Sequence, residues 1–557
     1  MIFPTSHKET LKFAQERVAE CSISMGSRQA LCQQYYQWVE TGRASGVRAL
    51  VNKLYAHLDN LASHLFSPSD LRFHIDFETP YDTDFLKKAE MASRVLTREW
   101  QRHDIDMIFA SAVPPALQYG AAFICQNETF NGVTGRLVMP WNLGVYNETI
   151  NNLDDQEAIL ETMFLTKSEV WRRISHLPDA EKLYKRIVTN ARQQSGVGTG
   201  TSFFHQVLST STLDTSLTGT GNRIQSGGIV QLSNDPGYAI MGPDVAAEMI
   251  KFHQLYVVDD ERGDWTTIQM VDPDVIIAPI FKRSNMFVKH RQPYSIIQPN
   301  YKQGYIWGRS EITDLIEPQN LSATWWDDIR RVMGTMYDKL LAFPGYDGLT
   351  DELYDQFRAQ GYMGLPQGAD VKDLTPKLPQ EAFTAVEMLY RQMDAIAGFD
   401  NILSGQGQSG VRAGVHAETL TRNASPRLRD RSLLVERQCA AAADKTFALL
   451  QAKDASAYWT DANNPEPTQF LLSQLPDDIH ITVDSHSSSP IYEEDHRELI
   501  AFGIKSGFIT GETAIEELPF PSKDLLLARL KQQQEQHAKL LQEHPELLAK
   551  EVGKHHR

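Results

Sequence analysis

The sequence predicts a mixed α+β protein that is mainly α-helical, and three observations lead to this prediction. Apolar residues recur at intervals of three and four over long stretches, as they do between Val47 and Leu65. Shorter stretches rich in β-branched and aromatic residues, such as 249–258 and 479–484, have the composition of strands. A glycine-rich loop at 403–414 separates two segments that both have helical spacing.

The size and composition of the chain limit the number of domains and the class of protein. A chain of 557 residues is too long for one hydrophobic core and predicts two to four domains. Its 41% hydrophobic and 22% charged residues are ordinary for a soluble protein, and no run of 18 apolar residues occurs, so we expect no membrane span. Residues 1–13 lack a basic segment followed by an apolar core, so no signal peptide is expected.

Charge and cysteine content restrict the function. The net charge is −17, whereas a protein that clamps nucleic acid through its phosphates is normally basic, which argues against a conventional DNA binder. An acidic surface could instead let a polyanion pass without sticking. Four scattered cysteines lack the spacing of a metal site or a redox pair and fit buried thiols in a reducing cytoplasm. They are Cys21, Cys32, Cys125 and Cys439.

The first part of the chain is predicted to be helical. Residues 1–65 have helical spacing and end at the breaker Ser67-Pro68-Ser69. Residues 84–119 are helical again, with an interruption predicted at Pro114-Pro115. Thr166, just before a charged amphipathic segment, has the signature of a helix N-cap.

Strands are predicted next. Candidates lie at 136–139 and 142–146, and two longer blocks at 249–258 and 265–281 are joined by a turn. The intervening residues 196–228 are rich in Ser, Thr and Gly and predict a long loop or a partly disordered excursion.

The second half of the chain alternates helices with breakers. Residues 301–310 introduce a helix that runs to about Leu341, in which Pro318 either causes a kink or marks the first turn. A block rich in Gly and Pro, residues 343–379, contains a strand candidate at 369–374. After the glycine loop, a long helix is predicted from 415 to 453.

The glycine loop also matches a nucleotide-binding pattern. Gly405-x-Gly407-x-x-Gly410 fits the dinucleotide fingerprint, which functions only where a strand leads into the loop. Here the preceding residues have helical spacing, and the acidic residues about 20 positions later lie inside a predicted helix. A dinucleotide-dependent oxidoreductase that uses these glycines is the alternative hypothesis. A third hypothesis is a peripheral scaffold without a channel.

Other motifs give little support for catalysis. Acid–histidine pairs at 484–486 and 493–496 lack a paired histidine four residues away and a clear third ligand, so we expect no metal and no cofactor. No Gly-x-Ser-x-Gly elbow and no Gly-Lys-Ser/Thr phosphate loop is present, so neither an esterase nor an ATPase is indicated.

Six arginines occur within 26 residues that hold only three acids. Helical geometry cannot place all six on one face, so they form either a solvated basic surface or pairs with neighbouring chains or domains. They are Arg412, Arg422, Arg427, Arg429, Arg431 and Arg437.

Three motifs, taken in order, give the chain a family resemblance. Tyr305-Ile-Trp307-Gly308-Arg309-Ser310-Glu311-Ile312 leads into a helix with Gln319-Asn320. Pro140-Trp-Asn-Leu-Gly-Val-Tyr146 precedes an acidic stretch and Thr166-Lys-Ser-Glu169. Ser487-Ser-Ser-Pro490 precedes an acidic helix start and Gly507-Phe-Ile509. Over about residues 30–530 the chain resembles tailed-bacteriophage portal proteins, also called head–tail connectors, of the short-tailed type.

The resemblance implies a portal fold that assembles as a ring, usually of twelve subunits, around a central DNA channel. The parts would be a wing (1–308), stem helix 1 (309–342), a clip (343–378), stem helix 2 (379–402), a tunnel loop (403–414), a long helix kinked at Pro426 with the wing return (415–490), and a crown with a C-terminal helical tail (491–557).

The resemblance also implies roles and partners. The protein would nucleate capsid assembly, dock the terminase large subunit, and meet major capsid, scaffolding and tail adaptor proteins, without catalytic residues or a membrane. It would be assembled in the host cytoplasm and reside at the portal vertex of the virion. Double-stranded DNA would pass through without sequence specificity.

The implied site residues fall into three groups. The tunnel loop would present Gln406, Gln408, Ser409, Val411 and Arg412 to DNA. The clip would dock terminase or adaptor through Tyr346, Asp347, Asp351, Tyr354, Arg358 and Tyr362. Arg422, Arg427, Arg429 and Arg431 would face DNA or a neighbouring subunit.

The charge pattern fits such a channel. Twelve acidic subunits would repel DNA over much of the ring, and a loop of Gln, Ser and Gly offers few strong phosphate anchors. Arg412 would be the one cation of that collar, making weak and exchangeable phosphate contacts.

Overall fold

The structure is a computed structural model of the chain. It describes residues 7–44, 48–68, 71–77, 83–129, 132–175, 177, 179–195, 250–259, 264–271, 281–282, 292–337, 341–342, 355, 359, 372–373, 380–398, 426–461, 464–475, 479–483 and 501–506.

The fold is mixed α+β and mainly helical, as the sequence predicts. In chain order the helices are α1 (His7–Thr41), α2 (Lys53–Leu65), α3 (Thr83–Arg102), α4 (Ile105–Tyr119), α5 (Lys167–Ile174), α6 (Ala180–Ser195), α7 (Ile316–Tyr337), α8 (Gln380–Ala397) and α9 (Pro426–Ala452). The strands are β1 (Phe73–Phe77), β2 (Ala122–Thr129), β3 (Gly132–Val138), β4 (Leu143–Val145), β5 (Ala158–Leu165), β6 (Ile250–Asp259), β7 (Asp264–Val271), β8 (Phe281–Lys282), β9 (Tyr294–Ile297), β10 (Leu341–Ala342), β11 (Lys372–Asp373), β12 (Ser456–Asp461), β13 (Asn464–Leu471) and β14 (Ile479–Val483).

The chain divides into two compact units, each made of several stretches. The first comprises Met1–Ala62, Ala112–Cys125 and Leu137–Arg431, and the second comprises Ser63–Ser111, Gln126–Arg136 and Ser432–Arg557.

The first unit is built on a five-stranded antiparallel sheet of order β4-β5-β6-β7-β8. Successive side chains of a strand point to opposite faces, and β5 shows this clearly. Ala158 and Leu160 pack on one face against α1, and Ile159 packs on the other face with Trp265 and Trp307. Gly144 lets α1 approach, because a Cβ there would lie 2.5 Å from the Cys21 carbonyl oxygen.

The second unit contains the antiparallel pairs β1–β14 and β12–β13. Helix α3 packs against β1, and the buried Trp100 indole donates a hydrogen bond of 3.0 Å to Thr446 Oγ1 on α9. Gln126 Nε2 donates to the same hydroxyl at 2.9 Å. The strand predicted at 479–484 is confirmed as β14.

The predicted interruption at Pro114-Pro115 is wrong, because α4 continues through both prolines. The helical break lies instead at Asp104, whose φ of 52° ends α3 and allows α4 to begin. Phe109, Val113 and Leu117 are fully or almost fully buried, so packing offsets the hydrogen bonds that the prolines cannot donate.

Several local predictions are confirmed. Thr166 caps α5 in a complete capping box with Glu169. Pro318 lies in the first turn of α7, where a missing N–H costs nothing, rather than at a kink. All four cysteines are buried free thiols, and burial raises the pKa of Cys21 and of Cys32 to about 12.

Helix α7 is shorter than predicted. It ends at Tyr337, and Leu341 is a strand residue of β10. The predictions for 196–228, for the helical segment 415–425 and for most of the C-terminal helices fall outside the described residues. No helix within the described residues is long and apolar enough to cross a membrane.

Candidate functional site

Helices α7 and α8 pack against each other as an antiparallel pair. Trp326 Nε1 donates a 2.6 Å hydrogen bond to the Tyr390 hydroxyl, and Ser322 Oγ donates to the same oxygen at 3.1 Å. The Trp326 ring also contacts Phe383 edge-on, with ring centroids 6.5 Å apart. Contacts that advance along α7 move backwards along α8, so the two helices run in opposite directions.

A short antiparallel ladder lies between these helices in sequence. In this ladder Leu341 is opposite Asp373 and Ala342 is opposite Lys372. The pairing brings together the two ends of segment 343–371, so the chain leaves and returns at one place. The ladder confirms a strand within the candidate at 369–374.

The start of α7 is held by a close approach of two glycines. Gly308 has a φ of 65°, and a Cβ there would lie 2.6 Å from the Gly120 carbonyl oxygen. Gly120 is equally constrained, since its own Cβ would lie 2.6 Å from the Trp307 carbonyl oxygen. Ser310 Oγ donates a hydrogen bond to the Gln118 carbonyl oxygen. The motif around Gly308 therefore fixes where α7 begins.

Trp307 anchors the same segment in the core. Its Nε1 donates to Glu148 Oε1 at 2.9 Å, its ring meets Phe123 edge-on at 5.7 Å, and the Arg28 guanidinium lies over it at 5.2 Å. Arg28 also donates a hydrogen bond to the Tyr119 carbonyl oxygen. The direction in which α7 leaves the sheet is thus set by buried contacts.

Glu311 joins the 3₁₀ turn before α7 to the first turns of α9. Its carboxylate accepts hydrogen bonds from Arg431 at 3.0 and 3.1 Å and from Asn300 Nδ2 at 2.7 Å. The two side chains of the ion pair are only 19% (Arg431) and 7% (Glu311) exposed. A bidentate Arg–carboxylate ion pair with little solvent exposure holds both side chains in one geometry.

A second polar cluster holds α2 against α8. Lys53 Nζ donates to both Asp394 carboxylate oxygens, at 2.7 and 2.8 Å, and its backbone N–H donates to Gln319 Oε1 at 3.1 Å. His57 Nε2 lies 3.3 Å from Asp394 Oδ1. Burial lowers the pKa of His57, and the nearby Asp394 carboxylate opposes this only in part. Lys53 of α2 therefore contacts both helices of the pair, α7 through Gln319 and α8 through Asp394.

Apolar side chains remain on the surface of this helix pair. They are Leu321 and Met333 on α7, and Phe383, Met388 and Ile396 on α8. Met388 is the most exposed of them, at 62%. Each of these five side chains is more than 40% exposed.

The structure places the predicted site residues as follows. Gln406, Gln408, Ser409, Val411, Arg412 and Arg422 lie outside the described residues, as do Tyr346, Asp347, Asp351, Tyr354, Arg358 and Tyr362. Arg427 and Arg429 belong to the first turn of α9, and Arg431 pairs with Glu311 of its own chain.

Sequence reasoning did not identify Glu311, Tyr390 or Asp394 as positioning residues. Glu311 lies within the Gly308-Arg-Ser-Glu311 motif, which was the available signal. Tyr390 and Asp394 are ordinary helix residues, and only their partners 64 and 341 positions away give them a role. Within the described part of the chain, no group of three or more His, Cys, Asp or Glu side chains is arranged to hold a metal ion.

Comparisons with known proteins give distant structural similarity. A chain from the virion of a native gene transfer agent particle aligns over 84% of this chain and 89% of its own length, at 10% identity and a TM-score of 0.37. A chain from the neck of an empty gene transfer agent particle, computed with C6 symmetry, aligns over 88% and 94%, at 10% identity and a TM-score of 0.40. No protein-family model and no curated protein matches the chain. At these TM-scores the similarity assigns no function.

Proposed function

We propose that the chain is a phage portal protein, the subunit of a ring-shaped DNA channel at one vertex of a capsid. The observation that carries the proposal is the α7–β10–β11–α8 arrangement: two antiparallel helices joined through a segment whose ends are paired in a short ladder. This is the order expected for two stem helices with a clip between them, and it lies at the positions where the sequence resemblance puts those parts.

The dimensions of the helix pair suit a channel wall. At 1.5 Å per residue, the 22 residues of α7 span roughly 33 Å and the 18 residues of α8 roughly 27 Å. A ring of such pairs would enclose a tube of similar length. Trp326 holds α8 to α7 through Tyr390, and Lys53 holds α8 to α2 through Asp394.

The exposed apolar residues of α7 and α8 support ring assembly. A ring is built from repeated heterologous contacts, in which one surface of a subunit packs on a different surface of the next. Covering Met388, Phe383 and their neighbours in this way would remove apolar surface from water, at roughly 25 cal/mol per Å² buried. We infer a homo-oligomer, with twelve subunits as the expected number.

In sequence, the glycine-rich loop 403–414 lies between α8, which ends at Ala397, and α9, which begins at Pro426. In the proposed ring it would narrow the channel, with Arg412 as its exchangeable phosphate contact. Segment 343–371, which lies between α7 and α8 in sequence, would dock the terminase during packaging and tail adaptors afterwards. Major capsid and scaffolding proteins would surround the ring in the assembling virion.

Electron microscopy of the purified protein tests this function. Rings with a central hole and roughly twelvefold symmetry are the expected result, and compact dimers or monomers under all assembly conditions, including with scaffolding protein, would contradict it. In rings, Arg412→Glu should impair packaging or DNA retention while leaving assembly intact. Deletion of 346–376 should abolish terminase binding.

The dinucleotide alternative has one observation against it. The last element that the structure describes before Gly405, Gly407 and Gly410 is helix α8, whereas the fingerprint requires a strand. Titration with dinucleotides followed by calorimetry decides between the two functions, since saturable micromolar binding would favour the oxidoreductase.

A further inference from the structure

The helical hairpin formed by α5 and α6 has a net positive charge, although the chain as a whole is acidic. Residues 167–186 contain six Lys or Arg and three Asp or Glu, a net charge of +3 where the chain as a whole has −17. Two of the three acids are occupied locally, because Glu169 completes the capping box of α5 and Asp179 pairs with Lys182 at 3.2 Å. The hairpin therefore keeps a net charge of +3, and Glu181 is the one remaining acid.

The hairpin is rigid because its inner face is part of the core. Val170 and Ile174 of α5 and Ile187 of α6 are fully buried against Phe252 and Val271 of the five-stranded sheet. Trp171 and Tyr184 join the two helices edge-to-face at 5.2 Å. Asp179 makes the turn with a φ of 65°, and its carbonyl oxygen accepts from Leu183 N.

The outer face carries the cations. On α5, residues 168, 171, 172 and 175 are exposed and share one face, and on α6 residues 182, 185, 186 and 189 do so. Glu181 is also exposed, one helical turn before Lys185, and is the one acid among these cations. Arg172, Lys185 and Arg186 point from these faces, and no acidic side chain within the described residues forms an ion pair with them. The packed hairpin thus displays, on neighbouring helices, three cations that form no ion pair with any residue that the structure describes.

The chemistry of this surface fits the phosphate backbone of duplex DNA better than a protein. Protein interfaces bury an apolar centre, but here the apolar residues face inward. Among the described residues of the hairpin, Trp171, 37% exposed, is the only large apolar side chain on the outer face. Phosphate contacts need only cations at fixed positions, and they carry no sequence preference. Acidic groups farther than about 8–10 Å are largely screened at physiological salt, so the net charge of the chain does not cancel a local patch.

We propose that the outer face of the α5–α6 hairpin, through Arg172, Lys185 and Arg186, binds duplex DNA without sequence specificity. The three residues are distant in sequence from the glycine-rich loop at 403–414. In a ring the hairpin would recur once per subunit, and repeated weak contacts would hold DNA through avidity.

The test measures binding of relaxed, covalently closed circular DNA, which cannot thread a closed ring, over a range of salt concentrations. The variant is Arg172→Gln/Lys185→Gln/Arg186→Gln in the full chain. The matched control is Lys8→Gln/Lys12→Gln/Arg94→Gln, which removes the same charge from exposed positions elsewhere. Far-UV circular dichroism checks that both remain folded.

The hairpin variant should bind at least tenfold more weakly than the control. The slope of log K against log salt should be shallower by about 2 to 3 for the hairpin variant, since each phosphate contact contributes about 0.9. Equal binding by the two variants would overturn the proposal, as would binding of a poly-glutamate peptide, but not DNA, through the same three residues. The assay does not require rings, so its outcome is independent of the portal assignment.

Discussion

Glu311 and Arg431 form a two-pronged ion pair, with nitrogen–oxygen distances of 3.0 and 3.1 Å, between residues 120 positions apart in the chain. The pair joins the turn that precedes α7 to the start of α9. These are the two ends of the stretch that contains the helix pair, the 343–371 segment and the glycine loop.

Arg431→Gln should lower the free energy of unfolding by about 3 kcal/mol, because it leaves the largely buried Glu311 carboxylate without its main partner. Urea unfolding followed by tryptophan fluorescence measures this. Arg331→Gln breaks an exposed pair with Asp328 and should cost below about 0.5 kcal/mol. Similar losses of unfolding free energy in the two variants would show that the Glu311–Arg431 pair stabilises the fold no more than an exposed ion pair does.

Gly308→Ala should be far more damaging than Gly304→Ala. Both glycines have a positive φ, 65° and 67°, so both substitutions carry a conformational cost of about 1–2 kcal/mol. Only Gly308 faces the Gly120 carbonyl oxygen at 2.6 Å, whereas nothing lies within 4 Å of a Cβ at Gly304. Thermal unfolding of the two variants isolates the packing contribution, and equal melting temperatures would contradict the close-approach argument.

Met388→Glu should prevent ring assembly without unfolding the subunit. Met388 is 62% exposed on α8, so a carboxylate is tolerated in the free subunit but is costly where a neighbour covers it. Ile23→Glu on α1, at 75% exposure, is the matched control and should still assemble. Light scattering after size-exclusion chromatography gives the mass of each variant. Rings of normal mass from Met388→Glu would exclude this part of α8 from the interface.

His253 should make the first unit sensitive to acid. Burial lowers the pKa of His253 to about 3, with Lys251 adding to the effect. In the unfolded chain this imidazole takes up a proton near pH 6.5, whereas in the folded chain it does so only near pH 3. The free energy of unfolding therefore has its full value above pH 6.5 and decreases as the pH falls toward 3. At pH 5 the loss should be about 2 kcal/mol relative to pH 7.

His253→Gln should remove that part of the pH dependence, as urea unfolding at pH 5 and 7 can show. Thr162→Val is the companion variant, since it deletes the 2.9 Å hydrogen bond to His253 Nδ1 but leaves the imidazole buried. Thr162→Val should lower the free energy of unfolding at both pH values and leave the difference between pH 5 and pH 7 unchanged. If the His253→Gln variant loses as much free energy of unfolding between pH 7 and pH 5 as the original chain does, other titratable groups dominate acid unfolding.

Local sequence patterns predicted the elements well where local physics governs them. The apolar stripe of α2, the capping box at Thr166, the first-turn Pro318 and the alternating strand β14 depend on residues within a few positions of each other. The failure at Pro114-Pro115 has the opposite origin. A proline's local cost was offset by the burial of Phe109, Val113 and Leu117, which a local pattern does not reveal.

What the residues alone specify is therefore the fold class, most helices and strands, and the order of parts that suggests a portal. The fold class and the elements follow from spacing and composition along the chain, whereas the portal parts are implied by the resemblance of three motifs to a known family and remain a proposal. The partnerships of Glu311 with Arg431, of Tyr390 with Trp326 and of Asp394 with Lys53 emerge only in three dimensions. The basic face of the α5–α6 hairpin likewise emerges only when packing decides which side of each helix is buried. Long-range pairing depends on how distant segments meet, and no short-range periodicity records that.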